Sequence, residues 1–358
     1  MDVLVAAESP LIMRRGPWFL LAALACGWLV VGAGCSRLAA QRLTVAPNRY
    51  PRWLAPGGRT FLNFPDAFLT NFPLQTLPVG PPAATLRYRA VPPAEYQVAV
   101  THSNWFAAGQ TRQSFHFTAQ LPAPPNRFSA APRGVALVLH GYAGESAVMV
   151  PLALRLAQAG WLCVVPDLRG HGDSTGKRIT YGVVETQDLS SLLDAVQRNG
   201  YPGPVAVVGH SYGAVLALRW KAADARVGNA VALAPYARLA AAGLNIRNEY
   251  SPWFPEGLTR AGFAGLPALL GVGPDELDPA TLMQRTPVKA LFIVGMEDRI
   301  TPPLDSSRLK TLSTAGSRVR YIPEANHETV PYYFDAVMPV VVEWLEGEPG
   351  VSGGMLDP

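Results

Sequence analysis

Charge is scarce in this sequence: Asp, Glu, Lys and Arg make up 16% of its 358 residues, while 49% are hydrophobic. So apolar a chain is not a disordered one, because it has ample material to bury in a core. The net charge of +4 is spread thinly, with no run of lysines and arginines, which argues against nucleic acid as a partner. Cysteine is equally sparse. Cys26, Cys35 and Cys163 form no C-x-x-C pair and no metal-ligand spacing, so no zinc, redox centre or other cofactor is implied. Cys163, inside the apolar run WLCVVPD, reads as a small buried hydrophobe. No internal repeat at a solenoid period is present.

The amino terminus has the layout of an export signal. From Met13, two arginines lead into an uncharged, mostly apolar stretch that ends in small residues before Cys35. The segment 1–35 resembles a bacterial lipoprotein signal, in which the cysteine becomes lipidated, although GAGC has glycine three residues before Cys35 where that pattern prefers leucine. An uncleaved anchor helix and ordinary cleavage are the alternatives, the apolar stretch being slightly short of the ~20 residues of a bilayer span. The first two readings tether an exported protein to a membrane. Residues 36–83 are rich in proline and aromatics and read as a linker hugging the domain surface; residues 348–358 read as a tail.

Between them, residues 84–347 read as one domain. ATLRYRAV, EYQVAVTH and RQSFHFTAQ alternate apolar and polar residues, as half-buried antiparallel strands do. After a proline-studded loop the pattern changes. Continuously apolar runs at 135–141, 161–167, 204–210, 229–235, 288–295 and 318–324 alternate with helical periodicity at 147–159, 183–198, 212–225, 304–313 and 332–346. Runs apolar on both faces belong to a parallel sheet covered by helices on each side, so the fold class is α/β, doubly wound. Residues 237–287 form the longest interval between strands and predict a small helical cap over the sheet's carboxyl edge, where open α/β sheets bind ligands.

Within VVGHSYGAVLAL, a serine sits between two glycines after a predicted strand and before a predicted helix. That context makes G-x-S-x-G a nucleophile elbow, a sharp turn that thrusts Ser211 into a cleft. Gly209 and Gly213 are required where strand and helix pack too closely for side chains. A serine hydroxyl is inert alone at neutral pH and needs a base and an acid downstream. Asp298 follows the strand LFIVG, and His327 lies in the loop after the last strand, 87 and 29 residues apart in succession. Glu297 is the competing acid, but a loop presents only one of two neighbours inward. The other histidines, at 102, 116, 140, 171 and 210, lie ahead of the nucleophile and are the weaker candidates. The backbone N–H groups of Tyr142, after strand 135–141, and Tyr212, at a helix start, are placed to hold an oxyanion.

LHGYAGES, PDLRGHGDSTG, VVGHSYGA, VGMEDRITPP and PEANHE, in this order, resemble the α/β-hydrolase superfamily, especially the branch of monoacylglycerol lipases, lysophospholipases and serine aminopeptidase-like hydrolases. The likeness covers about residues 130–346. It implies Ser211 as nucleophile, His327 as base, Asp298 as its partner and Tyr142 and Tyr212 as oxyanion donors, with Asp167, Arg169 and His171 structural. The expected reaction is hydrolysis of a hydrophobic or lipid-like carboxylic ester through an acyl-enzyme. Serine at the elbow argues against the epoxide hydrolases and dehalogenases of the superfamily, which use aspartate there. An aminopeptidase is the alternative, and would need an acidic group near the cap, such as Glu249, Glu256, Asp275 or Glu276, to hold a free amine. A tethered, non-catalytic binding protein is the reading from another class.

Overall fold

The structure, a computed structural model, describes residues 33–49, 60–107, 110–122, 131–201 and 203–347. The segment read as an export signal and the stretch read as a tail therefore lie outside the described residues, apart from the backbone of 33–35. Helix α1 (Ala33–Leu43) comes first, followed by strand β1 (Thr60–Asn63), the short helix α2 (Asp66–Leu69) and strands β2 (Gln75–Val79), β3 (Ala84–Val91), β4 (Gln97–Ala107) and β5 (Gln110–Gln120). Four strands then alternate with helices: β6 (Gly134–Leu139), α3 (Ser146–Gln158), β7 (Trp161–Asp167), α4 (Glu185–Arg198), β8 (Val205–His210), α5 (Tyr212–Ala223) and β9 (Val227–Leu233). Three helices interrupt the pattern, α6 (Leu239–Tyr250), α7 (Glu256–Leu270) and α8 (Pro279–Arg285), before β10 (Leu291–Gly295), α9 (Pro303–Thr311), β11 (Arg318–Ile322) and α10 (Phe334–Glu346).

Eight strands form one sheet in the order β11-β10-β9-β8-β6-β7-β3-β2. From β7 to β11 neighbouring strands run parallel; β3 joins β7, and β2 joins β3, antiparallel. The apolar runs explain why the sheet is covered on both sides. Val135, Leu137 and Leu139 of β6 pack into one core with Val205 and Val207 of β8, whereas Ala136, Val138, Ala206 and Val208 pack into the other. Helices α4 and α5 fill the first core; α3 and α10 fill the second. Cys163 of β7 is fully buried in the second. No helix among the described residues is long and apolar enough to cross a membrane.

Two parts differ from the sequence expectation. The stretch 36–83 is no bare linker: it carries most of α1, whose Ala39, Ala40 and Leu43 are buried, and it supplies β2 as an edge strand of the main sheet. Pro78 disguised β2, yet an edge strand tolerates proline because one row of its N–H groups has no ladder partner. The second difference is that β4 and β5 leave the main sheet and, with β1, make a separate three-stranded one. Phe115 and Phe117 of β5 pack on Tyr332, in the segment that follows His327.

Candidate active site

Ser211 sits between the end of β8 and the start of α5 with φ +54° and ψ −113°. For a residue with a Cβ this conformation costs about 1–3 kcal/mol and persists only where the surroundings impose it. They do so here. The Ser211 N–H donates to the Leu233 carbonyl at 2.8 Å, and the Ser211 carbonyl accepts from Val215 N–H at 3.1 Å. The flanking glycines permit the turn: a Cβ on Gly209 would lie 2.1 Å from the Gly213 carbonyl oxygen, and one on Gly213 would lie 2.6 Å from those of Leu139 and His140.

The structure brings Ser211, His327 and Asp298 together. His327 Nε2 lies 2.9 Å from Ser211 Oγ, and His327 Nδ1 lies 2.9 Å from Asp298 Oδ2. The carboxylate fixes the imidazole proton on Nδ1, which leaves the Nε2 lone pair to accept the serine hydroxyl. Asp298 is buried, and its Oδ1 accepts from the N–H groups of Ile300 and Thr301 at 2.9 and 2.7 Å. Its neighbour Glu297 is exposed, so the turn presents Asp298 inward. Burial opposes a charge on His327, but the facing Asp298 carboxylate overrides it and, with a smaller contribution from Glu328, raises the His327 pKa above its ordinary value.

Three supporting contacts were not legible as such in the sequence. Thr301 Oγ1 stands within 2.7 Å of Asp298 Oδ2, 3.0 Å of the Ala234 carbonyl and 3.1 Å of His327 Nδ1. His210 Nε2 donates to the His327 carbonyl at 2.7 Å, and burial pushes the His210 pKa down to about 3, so the ring is neutral and serves as a strut. Asn326 caps the loop: its Oδ1 accepts from the N–H groups of Glu328 and Thr329, and its Nδ2 donates to Gln113 of the small sheet. The one available signal was the spacing D-x-x-T at 298–301, which suits an aspartate turn closed by a threonine.

Tyr142 lies in a tight turn closed by Gly144 N–H on the Gly141 carbonyl at 3.0 Å, and Tyr212 opens α5. The first N–H groups of a helix have no intrahelical acceptor and lie at the positive end of its dipole. Both tyrosines border the cavity that Ser211 faces. His140 holds the Tyr142 loop from below: its Nδ1 donates to the Gly141 carbonyl at 2.7 Å and its Nε2 accepts from Leu168 N–H at 3.0 Å.

The motif around residues 167–174 builds scaffold. Asp167 accepts from the N–H groups of Ser146 and Asp173, and Arg169 forms a bidentate ion pair with Asp188 at 2.7 Å on both arms, each side chain 4% exposed. His171 Nδ1 bonds the Arg169 carbonyl at 2.9 Å. His102 stacks on Phe115 in the small sheet and His116 is exposed there. Among the described residues no group of three His, Cys, Asp or Glu could hold a metal ion.

The sheet order, the strained serine and the loops above β10 and β11 are those of an α/β hydrolase. The family model described as serine aminopeptidase, S33, matches residues 130–260. A monoacylglycerol lipase of Mycolicibacterium smegmatis is 38% identical over 89 residues, 23% of this chain and 30% of that protein. The Bacillus subtilis protein YqkD is 29% identical over 181 residues, 48% of this chain and 57% of that one. The chain thus spans less than two thirds of either relative. Among solved structures, an esterase of Pyrococcus furiosus superposes with a TM-score of 0.55 at 19% identity, covering 80% of this chain and 97% of that one. A ferulic acid-bound protein of Butyrivibrio proteoclasticus gives 0.51 at 14%, covering 76% and 98%. The chain has the α/β-hydrolase fold, and its central part resembles the serine aminopeptidase, S33, family model.

Proposed function

We propose that this protein is a serine hydrolase that cleaves a carboxylic ester with an apolar acyl group. The observation that carries the reading is the unbroken relay from Ser211 Oγ through His327 to Asp298, with 2.9 Å at each step. His327 Nε2 takes the hydroxyl proton as Ser211 Oγ attacks the carbonyl carbon, and the N–H groups of Tyr142 and Tyr212 receive the oxyanion. The imidazolium then hands its proton to the leaving alkoxide, which departs as alcohol. Water, deprotonated by the same nitrogen, attacks the acyl-enzyme; the acid leaves and the serine regains its proton.

An ester is favoured over a peptide amine by the walls of the cavity. They are built from tyrosines and from Leu239, Ile246 and Phe263, with no carboxylate among the described lining residues to hold a free ammonium group. Glu256 and Glu276, possible amine ligands by sequence, instead pair with Arg260 and Arg285 at the surface. The relatives named monoacylglycerol lipase and esterase point the same way, and the family description of an aminopeptidase keeps peptides as the second reading. Labelling with a fluorophosphonate, lost in Ser211→Ala, tests the nucleophile. Parallel panels of esters and aminoacyl amides test the substrate: cleavage of amides alone would refute the ester reading. We also propose a location outside the cytoplasm, tethered to a membrane, a reading supported by the arginine-led apolar stretch that runs into Cys35.

A further inference from the structure

The cavity at Ser211 is narrow, about 40 Å³, on a scale where one water needs about 10–15 Å³. That is room for a few non-hydrogen atoms, the size of a short acyl group. One wall is the α6 stripe of Leu239, Ala242, Gly243 and Ile246; against it lies Phe263 of α7. A Cβ on Gly243 would sit 2.0 Å from the Phe263 ring, so glycine is what lets the ring lie flush with α6. The position of Phe263, and with it the size of the cavity, depends on where α7 stands.

Helix α7 packs chiefly on α1. The two touch at backbone distance. A Cβ on Gly262 would meet Leu43 Cδ1 at 3.0 Å and Ala39 Cβ at 3.3 Å; one on Gly265 would meet the Ser36 carbonyl oxygen at 2.9 Å and Ala40 Cβ at 3.2 Å. At its far end α1 is tied to the sheet domain. The Tyr181 hydroxyl donates to the Leu43 carbonyl at 2.7 Å, Ile179 N–H donates to the Thr44 carbonyl at 2.8 Å, and Asn48 Nδ2 reaches the carbonyls of Gly172 and Ser174 at 3.1 and 2.7 Å. Tyr181 itself borders the cavity.

From these contacts we infer that residues 36–48 act as a strap, and that the strap sets the acyl-size limit of the site. It spans from the 170–181 loop to α7 and thereby holds Phe263 against Gly243. With the strap seated the cavity takes short acyl groups; longer ones enter only as α7 moves away. The inference rests on the ester reading above and concerns residues that touch neither Ser211 nor its partners.

The test compares kcat/KM for 4-nitrophenyl acetate, butyrate and octanoate in the full chain, with fluorophosphonate labelling of Ser211 as the measure of an assembled site. Phe263→Ala removes the wall directly. Gly265→Val forces α1 from α7 without touching the cavity, Gly265→Ala does so mildly, and Leu43→Ala removes the strap's contact with Gly262 while leaving α7 unchanged. Each is expected to raise the octanoate-to-butyrate ratio, by about tenfold or more in Phe263→Ala and Gly265→Val, the scale of a methylene's worth in an apolar pocket. If Gly265→Val does not label, the judgement passes to Gly265→Ala and Leu43→Ala. Normal labelling with an unchanged ratio in the strap variants overturns the inference, even where Phe263→Ala shifts it. A wild type that neither labels nor cleaves any ester marks a failure of the ester reading itself, and the strap's role in selecting acyl groups falls with it.

Discussion

The hydroxyl of Tyr250, the last residue of α6, bonds the carboxylate of Glu328, the residue next to His327. The helices above the cavity therefore touch the loop that carries the histidine. Glu328 also adds to the field that raises the His327 pKa. The contact couples the position of α6 to that of the histidine loop.

Tyr250→Phe removes the hydroxyl and keeps the ring. A hydrogen bond to a charged group contributes about 1.5–3 kcal/mol, part of which is spent on order that the substrate itself can restore. The expected loss in kcat/KM is about three- to tenfold, with fluorophosphonate labelling still complete at long times. Steady-state kinetics on a short-chain ester measures it, and wild-type kinetics in the variant would show that the contact does not bear on the histidine.

The protonation of His327 gives a pH dependence whose sign is fixed. The base is active when neutral, and Asp298 raises its pKa above the ordinary value near 6.5. The acid limb of kcat/KM should therefore inflect above that value, activity falling as pH drops through it. Asp298→Asn removes the carboxylate and leaves burial, which lowers the pKa. The limb should move toward acid while kcat drops by about 10⁴-fold, because the amide no longer holds the proton on Nδ1. Measured profiles with the limb at the same pH in both proteins would contradict the assignment of Asp298.

Much of this arrangement could be read from the chain alone. The strands 135–139, 161–167 and 205–210 are apolar through almost their whole length, with Asp167 and His210 only at the carboxyl ends, because both faces are covered, so their run lengths and the helices between them were visible. Ser211, Asp298 and His327 were visible because each follows the carboxyl end of a strand in the expected order. What escaped has physical causes. Helix α1 buries mainly alanines, whose small side chains leave a faint periodicity, and it follows directly on a segment that reads as an export signal. Strand β2 carries Pro78. His210 and Asn326 act through contacts that span 117 and 213 residues, to His327 and Gln113, which no local pattern encodes; of the Thr301 contacts only the one with Asp298 is local.

The strain at Ser211 predicts a trade of stability for reactivity. At φ +54° a Cβ is crowded, and glycine is free of that cost. Ser211→Gly should raise the unfolding free energy by about 1 kcal/mol, whereas Ser211→Ala keeps the crowding and gains nothing of the kind. Both should lose turnover by about 10⁶-fold. Denaturant titration of the three proteins separates the outcomes; equal midpoints for the glycine and alanine variants would mean that the turn imposes no strain.

Cys35 tests where the protein resides. A lipidated cysteine anchors the chain through its acyl groups, so Cys35→Ala should move the protein from the membrane fraction to the soluble one while leaving ester hydrolysis intact. Retention in the membrane would point to the apolar stretch before Cys35 acting as an anchor helix.

The ion pair between Arg169 and Asp188 offers a control that should alter stability and spare chemistry. Both side chains are 4% exposed, the pairing is bidentate, and Arg169 Nη1 also donates to the Pro82 carbonyl at 2.8 Å. Removing one partner leaves the other charge buried and unpaired, which costs about 3–5 kcal/mol. Asp188→Ala should lower stability by that order, and Arg169→Met paired with Asp188→Leu should recover much of it, since two apolar side chains of similar volume need no partners. Thermal unfolding of the single and double variants reads the recovery. Because neither residue lines the Ser211 cavity, the double variant should keep wild-type kcat at a temperature where it is folded; a large loss of kcat there would mean that the 167–174 loop serves the reaction and is not scaffold alone.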